Sequence, residues 1–155
     1  MTTVVIAFCP HAGDVTMKSA LKTAFAKEMA GARAAEAAGD MALAKHHLER
    51  AHILGQRWYG THVKTHFQML RLALKQADGK EVRGQLVRLI GAGPFHMAGW
   101  IPLGNTGGAD VSATRPMPIP SDLQSHHEGH SLRNGLILRA VLVAALVATY
   151  LLVVR

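Results

Sequence analysis

The sequence predicts an all-α protein: an N-terminal tail over 1–16, two helical hairpins over 17–93, a Pro/Gly-rich arm over 94–123, a flexible linker over 124–134 and a C-terminal transmembrane helix over 135–154. Three observations carry that prediction. Apolar residues recur at three- and four-residue intervals from Met17 to Ile90, Gly/Asp pairs interrupt the pattern twice, and five of the six prolines fall beyond residue 91.

In MKSALKTAFAKEMAGARAAEAA (17–38), Leu21, Phe25, Met29 and Ala32 fall on one helical face, and Gly39-Asp40 ends the run. Asp40 is a suitable N-cap for a second helix over 41–55, whose stripe is Ala44, Leu48 and Ala51. A third helix is expected over 58–77 and a fourth over 80–90, with Asp78-Gly79 between them. On the third, Val63, Phe67, Leu70 and Leu74 form the apolar stripe expected to face the core, and His62 and His66 border it. The two turns lie about forty residues apart, and the small residues Ala44 and Gly84 recur where close helix packing would need them, which suggests a repeat. GDMALAKHHLERAHIL resembles the second helix of a tetratricopeptide repeat, a resemblance that implies an outward Glu49-Arg50 pair. The second copy departs from it, with Arg88 where Leu48 predicts an apolar residue.

Regular helix is expected to stop before Pro94. GNTGG (104–108) reads as turns, and PMPIP (116–120) as extended chain whose Met117 and Ile119 can lie along a helix groove. SHHEGHS reads as a polar link. The last segment, GLILRAVLVAALVATYLLVV (135–154), holds one charge, Arg139, in 20 residues. At about 1.5 Å per residue it spans roughly 30 Å, a hydrocarbon core's thickness. A single-pass anchor in a bacterial inner membrane follows as the expectation, with lipid as its partner and Arg133 and Arg139 placing the preceding domain in the cytoplasm. VVIAF (4–8) is too short for a signal peptide's apolar region, and Met17 is an alternative start.

Seventeen Lys and Arg against ten Asp and Glu give a net charge of +7. Thirteen of those basic residues are spread at helical intervals over 17–93 without interleaved aromatics, so a solvated face is expected and no specific nucleic acid. One cysteine, Cys9, excludes an internal disulfide framework. No nucleophile elbow or phosphate-cradling loop is recognisable, so an enzyme is the least favoured class.

Ten histidines are the chemical signal. His62 and His66, four apart on one helix, project from the same face, and a short turn from Gly55 to Gly60 returns His52 toward them. His52, His62 and His66 are therefore the candidate metal ligands, with Glu49 as a possible fourth. Imidazole suits Zn, Cu and Ni alike. Only Glu49 and His52 form a Glu-x-x-His unit, which excludes a di-iron bundle. His47 is expected as a packed, hydrogen-bonded residue, His126, His127 and His130 as solvated linker, and Cys9 with His11 as a weak soft-ion site.

THVKTHFQMLRLAL, EVRGQLVRL and above all PLGNTGGADVSATRPMPIPSDL resemble a bacterial domain family of unknown function across residues 17–123. Some of its members stand in genetic neighbourhoods of heavy-metal resistance, and the resemblance brings no activity. Two functions are expected in order: a membrane-anchored adaptor whose hairpin groove docks a protein partner, its own arm or a second copy, and a transition-metal-binding accessory protein of metal resistance or homeostasis.

Overall fold

Two helix corners built alike set the architecture. After α1 (Ser19–Ala37), Gly39 takes φ +81°, and the Asp40 amide reaches back to the Ala35 carbonyl at 2.9 Å, closing the helix. Asp40 then accepts from the Leu43 amide at 2.9 Å and starts α2 (Met41–Gly55). The same device follows α3 (Tyr59–Lys75): the Asp78 amide donates to the Ala73 carbonyl at 3.0 Å, and the Asp78 carboxylate caps the Lys80 and Glu81 amides of α4 (Gly79–Met97). Here the left-handed position falls on Ala77, at φ +53°, and Gly79, expected in the turn, is instead the first residue of α4. A short α5 (Ser121–Gln124) follows the arm.

The computed structural model describes residues 17, 19–97 and 99–127, and every regular element among them is a helix. The first four helices pack consecutively, α1 on α2, α2 on α3 and α3 on α4. Leu21, Phe25, Met29 and Ala32 of α1 close against Ala44, Leu48, Ala51 and Leu54 of α2. Leu123 of α5 is buried in the same cluster and Ile119 packs on it, so the arm is part of the core. The Met117 amide holds the arm to itself by donating to the Leu103 carbonyl at 3.0 Å.

Several expectations need correction. The core face of α3 is the one carrying Thr65, His66, Met69 and Ala73. The apolar stripe expected there is not the buried one: Phe67 is 57% and Leu74 61% exposed, while Val63 and Leu70 are half-buried. Helix α4 does not stop before Pro94 but runs to Met97, so the arm begins later than residue 94. Proline removes only one helical donor, and Pro94 lies exposed in the last turns, where that loss is small. Gly99, at φ +64°, ends the helix as the Trp100 amide returns to the Phe95 carbonyl at 2.8 Å.

Arg50 does not face outward with Glu49. It turns to Glu28 of α1, donating from Nε at 2.8 Å, and to Asp122 of α5. His47 Nδ1 meets the other Glu28 oxygen at 2.7 Å. One nearly buried carboxylate thus joins α1, α2 and, through Arg50, the end of the arm.

The membrane assignment is also corrected. Among the described residues no helix is long and apolar enough to cross a membrane, because α1 to α4 all carry charged residues at helical intervals. The described helices therefore do not support the single-pass inner-membrane localisation; the expected span over 135–154 lies outside the described residues, as do the tail over 1–16, Cys9, His11 and His130.

Two stability predictions follow from the corners and the Glu28 junction. Ala77→Gly relieves a left-handed residue that carries a Cβ and should stabilise the protein by about 0.5–1 kcal/mol in urea denaturation. Burial pushes the Glu28 carboxyl up, but hydrogen bonds from His47 and Arg50 together outweigh it and hold the group below its usual 4.5. A lowered native pKa means stability that is present above pH 4.5 and lost as pH falls through the native value. Glu28→Gln should therefore cost about 1–3 kcal/mol at neutral pH. Denaturation at a series of pH values should show a shallower acid loss in the variant than in the parent.

Candidate metal centre

The close of α2 and the opening of α3 place three imidazoles in one buried cluster. His52 occupies the last turn of α2, and His62 and His66 lie one turn apart on α3. Between them the Thr61 hydroxyl donates to the Gly55 carbonyl at 2.7 Å, fastening the corner. Ring centroids stand 4.9 Å apart for His52 and His62, 4.7 Å for His52 and His66, and 4.7 Å for His62 and His66. The interplanar angles are 58°, 58° and 53°. Three rings tilted almost equally around a nearly equilateral triangle approximate a threefold arrangement about one point. Their ligand nitrogens all lie within 4.8 Å of one another, His52 Nε2 to His66 Nε2 being 3.2 Å and His66 Nε2 to His62 Nε2 3.0 Å.

The outer partners decide where the protons sit. His52 Nδ1 lies 2.8 Å from the Asn105 backbone carbonyl, which can only accept, so Nδ1 carries the hydrogen. His66 Nδ1 lies 2.7 Å from Gln85 Oε1. The Gln85 amide nitrogen is already committed to Glu81 Oε1 at 2.6 Å and the Gly107 carbonyl at 2.8 Å, which fixes Oε1 as the acceptor. His66 Nδ1 is therefore also an N–H. Burial, with repulsion from His66 and His62, holds His52 well below its usual 6.5 despite the Asn105 bond. Burial, then the neighbouring His66 and His96, takes His62 down to about 3, and burial with Arg88 outweighs the Gln85 bond to take His66 to about 4. The rings are neutral, and His52 and His66 present bare Nε2 lone pairs to each other. His62 can donate from Nε2 to His66, and its Nδ1 is buried without a hydrogen-bond partner.

The arm supplies what the histidine spacing cannot show. Asn105 donates from its amide to the Ser112 and Arg115 carbonyls at 2.9 and 2.7 Å and accepts from the Gly107 amide at 2.9 Å, so its own carbonyl is held at His52. Gly107, at φ +81°, lies against that ring: a Cβ there would come within 2.8 Å of His52 Cγ and Cδ2. Gly84 was expected to let helices approach, but its absent side chain admits Ala109 of the arm, whose Cβ would lie 2.3 Å from a Cβ at 84. Arg88, the misfit of the second hairpin, donates to the Gly108 and Val111 carbonyls at 2.8 and 2.6 Å. Gln85, Asn105 and Gly107 were missed as supporting residues. Their only visible signal was that GNTGG follows a helix bearing Gln and Arg at an i, i+3 spacing.

The other candidates lie elsewhere. Glu49 does not join the cluster and pairs with Lys45 at 3.8 Å. Burial and the nearby Asp110 and Glu81 raise its pKa against the pull of Lys45. His47 serves Glu28, and His126 and His127 lie in the turn after α5. Both Gly107→Ala, which drives a methyl into the His52 ring, and Gln85→Leu, which leaves the His66 Nδ1–H buried without an acceptor, should destabilise the protein by about 1–3 kcal/mol in urea denaturation.

The imidazoles, Gln85 and the whole strap from Asn105 to Arg115 lie inside one span that comparison with known families picks out. Residues 19–126 match the family described as "Protein of unknown function (DUF3703)". No curated protein and no solved structure matches. The match covers about two thirds of the chain and includes every residue of the cluster, and the chain belongs to that family of unknown function.

Proposed function

We propose that the protein binds one transition-metal ion through the Nε2 atoms of His52, His62 and His66 and serves as a metal-binding accessory protein in metal resistance or homeostasis. The observation that carries this reading is the pair of neutral acceptor nitrogens, His52 Nε2 and His66 Nε2, facing each other at 3.2 Å in a buried site. Neither has a proton to share, and a cation between them turns repulsion into coordination. Metal–nitrogen bonds of about 2.0–2.1 Å in tetrahedral geometry put ligand nitrogens roughly 3.3–3.4 Å apart, close to the spacing here. The Asn105 carbonyl and Gln85 amide are the kind of outer partner that fixes a ligating histidine's tautomer. Because the rings are neutral, the ion displaces no proton from the cluster; His62 only has to move its hydrogen from Nε2 to Nδ1.

Zn, Cu and Ni all accept such a donor set. A lesser reading, docking of a protein partner or a second copy, rests on Phe67, Leu74 and Ile90, which the outer faces of α3 and α4 leave exposed. The groove expected to receive a partner is occupied along α4 by the chain's own arm.

Isothermal titration of the protein with Zn(II), Ni(II) and Cu(II) should give one ion per chain. Saturation with the preferred ion at about 100 Kd should stabilise the fold by about 2.7 kcal/mol, reversed by chelator. His62→Ala and His66→Ala should each lower the affinity at least about tenfold, a loss of about 1.4 kcal/mol or more. Equal affinity in parent and both variants would remove the site.

A further inference from the structure

The cluster is one wall of a chamber, and what lines the rest of that chamber bears on the metal's coordination. The cavity measures about 60 Å³. Apolar side chains of Val87, Ala92, Phe95, Ile101, Pro102 and Ala113 face the three histidines across it. Ala92 and Ile101 are buried in its floor, while Val87 and Phe95 are exposed and form its rim. The polar groups that also line it are already committed. Gln56 donates to the Pro102 carbonyl at 3.2 Å and accepts from the Gly104 amide at 2.9 Å in the orientation its neighbours require. The Asn105 amide is spent on Ser112, Arg115 and Gly107. Arg88 is spent on carbonyls of Gly84, Gly108 and Val111. Among the described residues the group able to hold a metal contains three ligands and no fourth.

Building on the metal reading, we infer that the ion bound by His52, His62 and His66 keeps an exchangeable coordination position directed into this chamber, and that its ligand there is a small monovalent anion. Three neutral imidazoles leave a divalent ion its full +2 charge, and Arg88 adds a cationic side chain to the same wall. With apolar side chains on the other sides, that charge is poorly screened and favours an anion over a neutral ligand. Glu81, a buried carboxylate of α4, already accepts from Gln85 and the Ala109 amide and pairs with Lys45 at 3.5 Å. Size sets the scale. One water needs about 10–15 Å³ of such space, so the chamber has room for a few waters or a small anion. Sites with three protein ligands and an open fourth position are the pattern of metal centres that bind and turn over small molecules, whereas purely structural sites close the sphere with a fourth protein ligand.

The test is azide titration of the Co(II)-loaded protein, read in the visible d–d bands. Saturable change of those bands with one azide per cobalt is the expected result. Val87→Trp, placed at the exposed rim away from the ligands, should leave the cobalt spectrum unchanged and weaken azide by about tenfold or more, about 1.4 kcal/mol. Cobalt bands that azide does not alter would overturn this inference and leave the three-histidine site standing. Azide binding unchanged in Val87→Trp would overturn the chamber as its place. Absence of any cobalt bands would overturn the metal site and this inference together.

Discussion

Two nitrogen lone pairs held 3.2 Å apart inside a protein repel, and the fold keeps them there. In water each imidazole would choose the tautomer that relieves the contact. Here the choice is removed: the Asn105 carbonyl takes the Nδ1 hydrogen of one ring and Gln85 takes that of the other. Those partners come from different elements, the arm and α4, while the rings come from α2 and α3. Correct geometry therefore requires all four segments in register, so the cluster's assembly is linked to completion of the tertiary structure.

The strap after α4 is what closes that register. Its glycines and asparagine look like ordinary turn chemistry, yet each contact has a direction. Glu81 accepts from the Ala109 amide, Gln85 donates to the Gly107 carbonyl and Arg88 to the Gly108 and Val111 carbonyls, so side chains on the inner face of α4 meet the strap's backbone by hydrogen bonds and little by apolar burial. That face is consequently polar, which explains why Arg88 stands where a repeat of the first hairpin would have Leu48.

Much of the architecture was legible because it rests on local rules. Asp40 announces α2 by capping, Asp78-Gly79 marks the second corner, and the Leu21, Phe25, Met29 and Ala32 stripe finds α2 as its period implies. The approach of His52 to His62 and His66 was legible too, since an i, i+4 pair and a short corner leave few other places for a ring at the end of α2. What was not legible depends on backbone atoms. Asn105 matters for its carbonyl, a group every residue carries, and Gly107 for the side chain it lacks. The α3 stripe misled for a different reason: periodicity identifies an apolar face but not which face a site occupies.

That inversion on α3 is informative about cost. A helix of this pattern would ordinarily bury Val63, Phe67, Leu70 and Leu74, and instead His66 is 2% exposed while Phe67 is 57% exposed. Burying a neutral imidazole needs a partner for each polar atom, and leaving a phenyl ring in water forgoes roughly 1.5–3 kcal/mol of apolar burial. A chain selected for core stability alone would rotate α3 and fill the space between α2 and α4 with leucine. Disagreement between local pattern and observed packing is expected at functional or strained sites. On α3 that disagreement falls on His62 and His66, the two residues that reach His52.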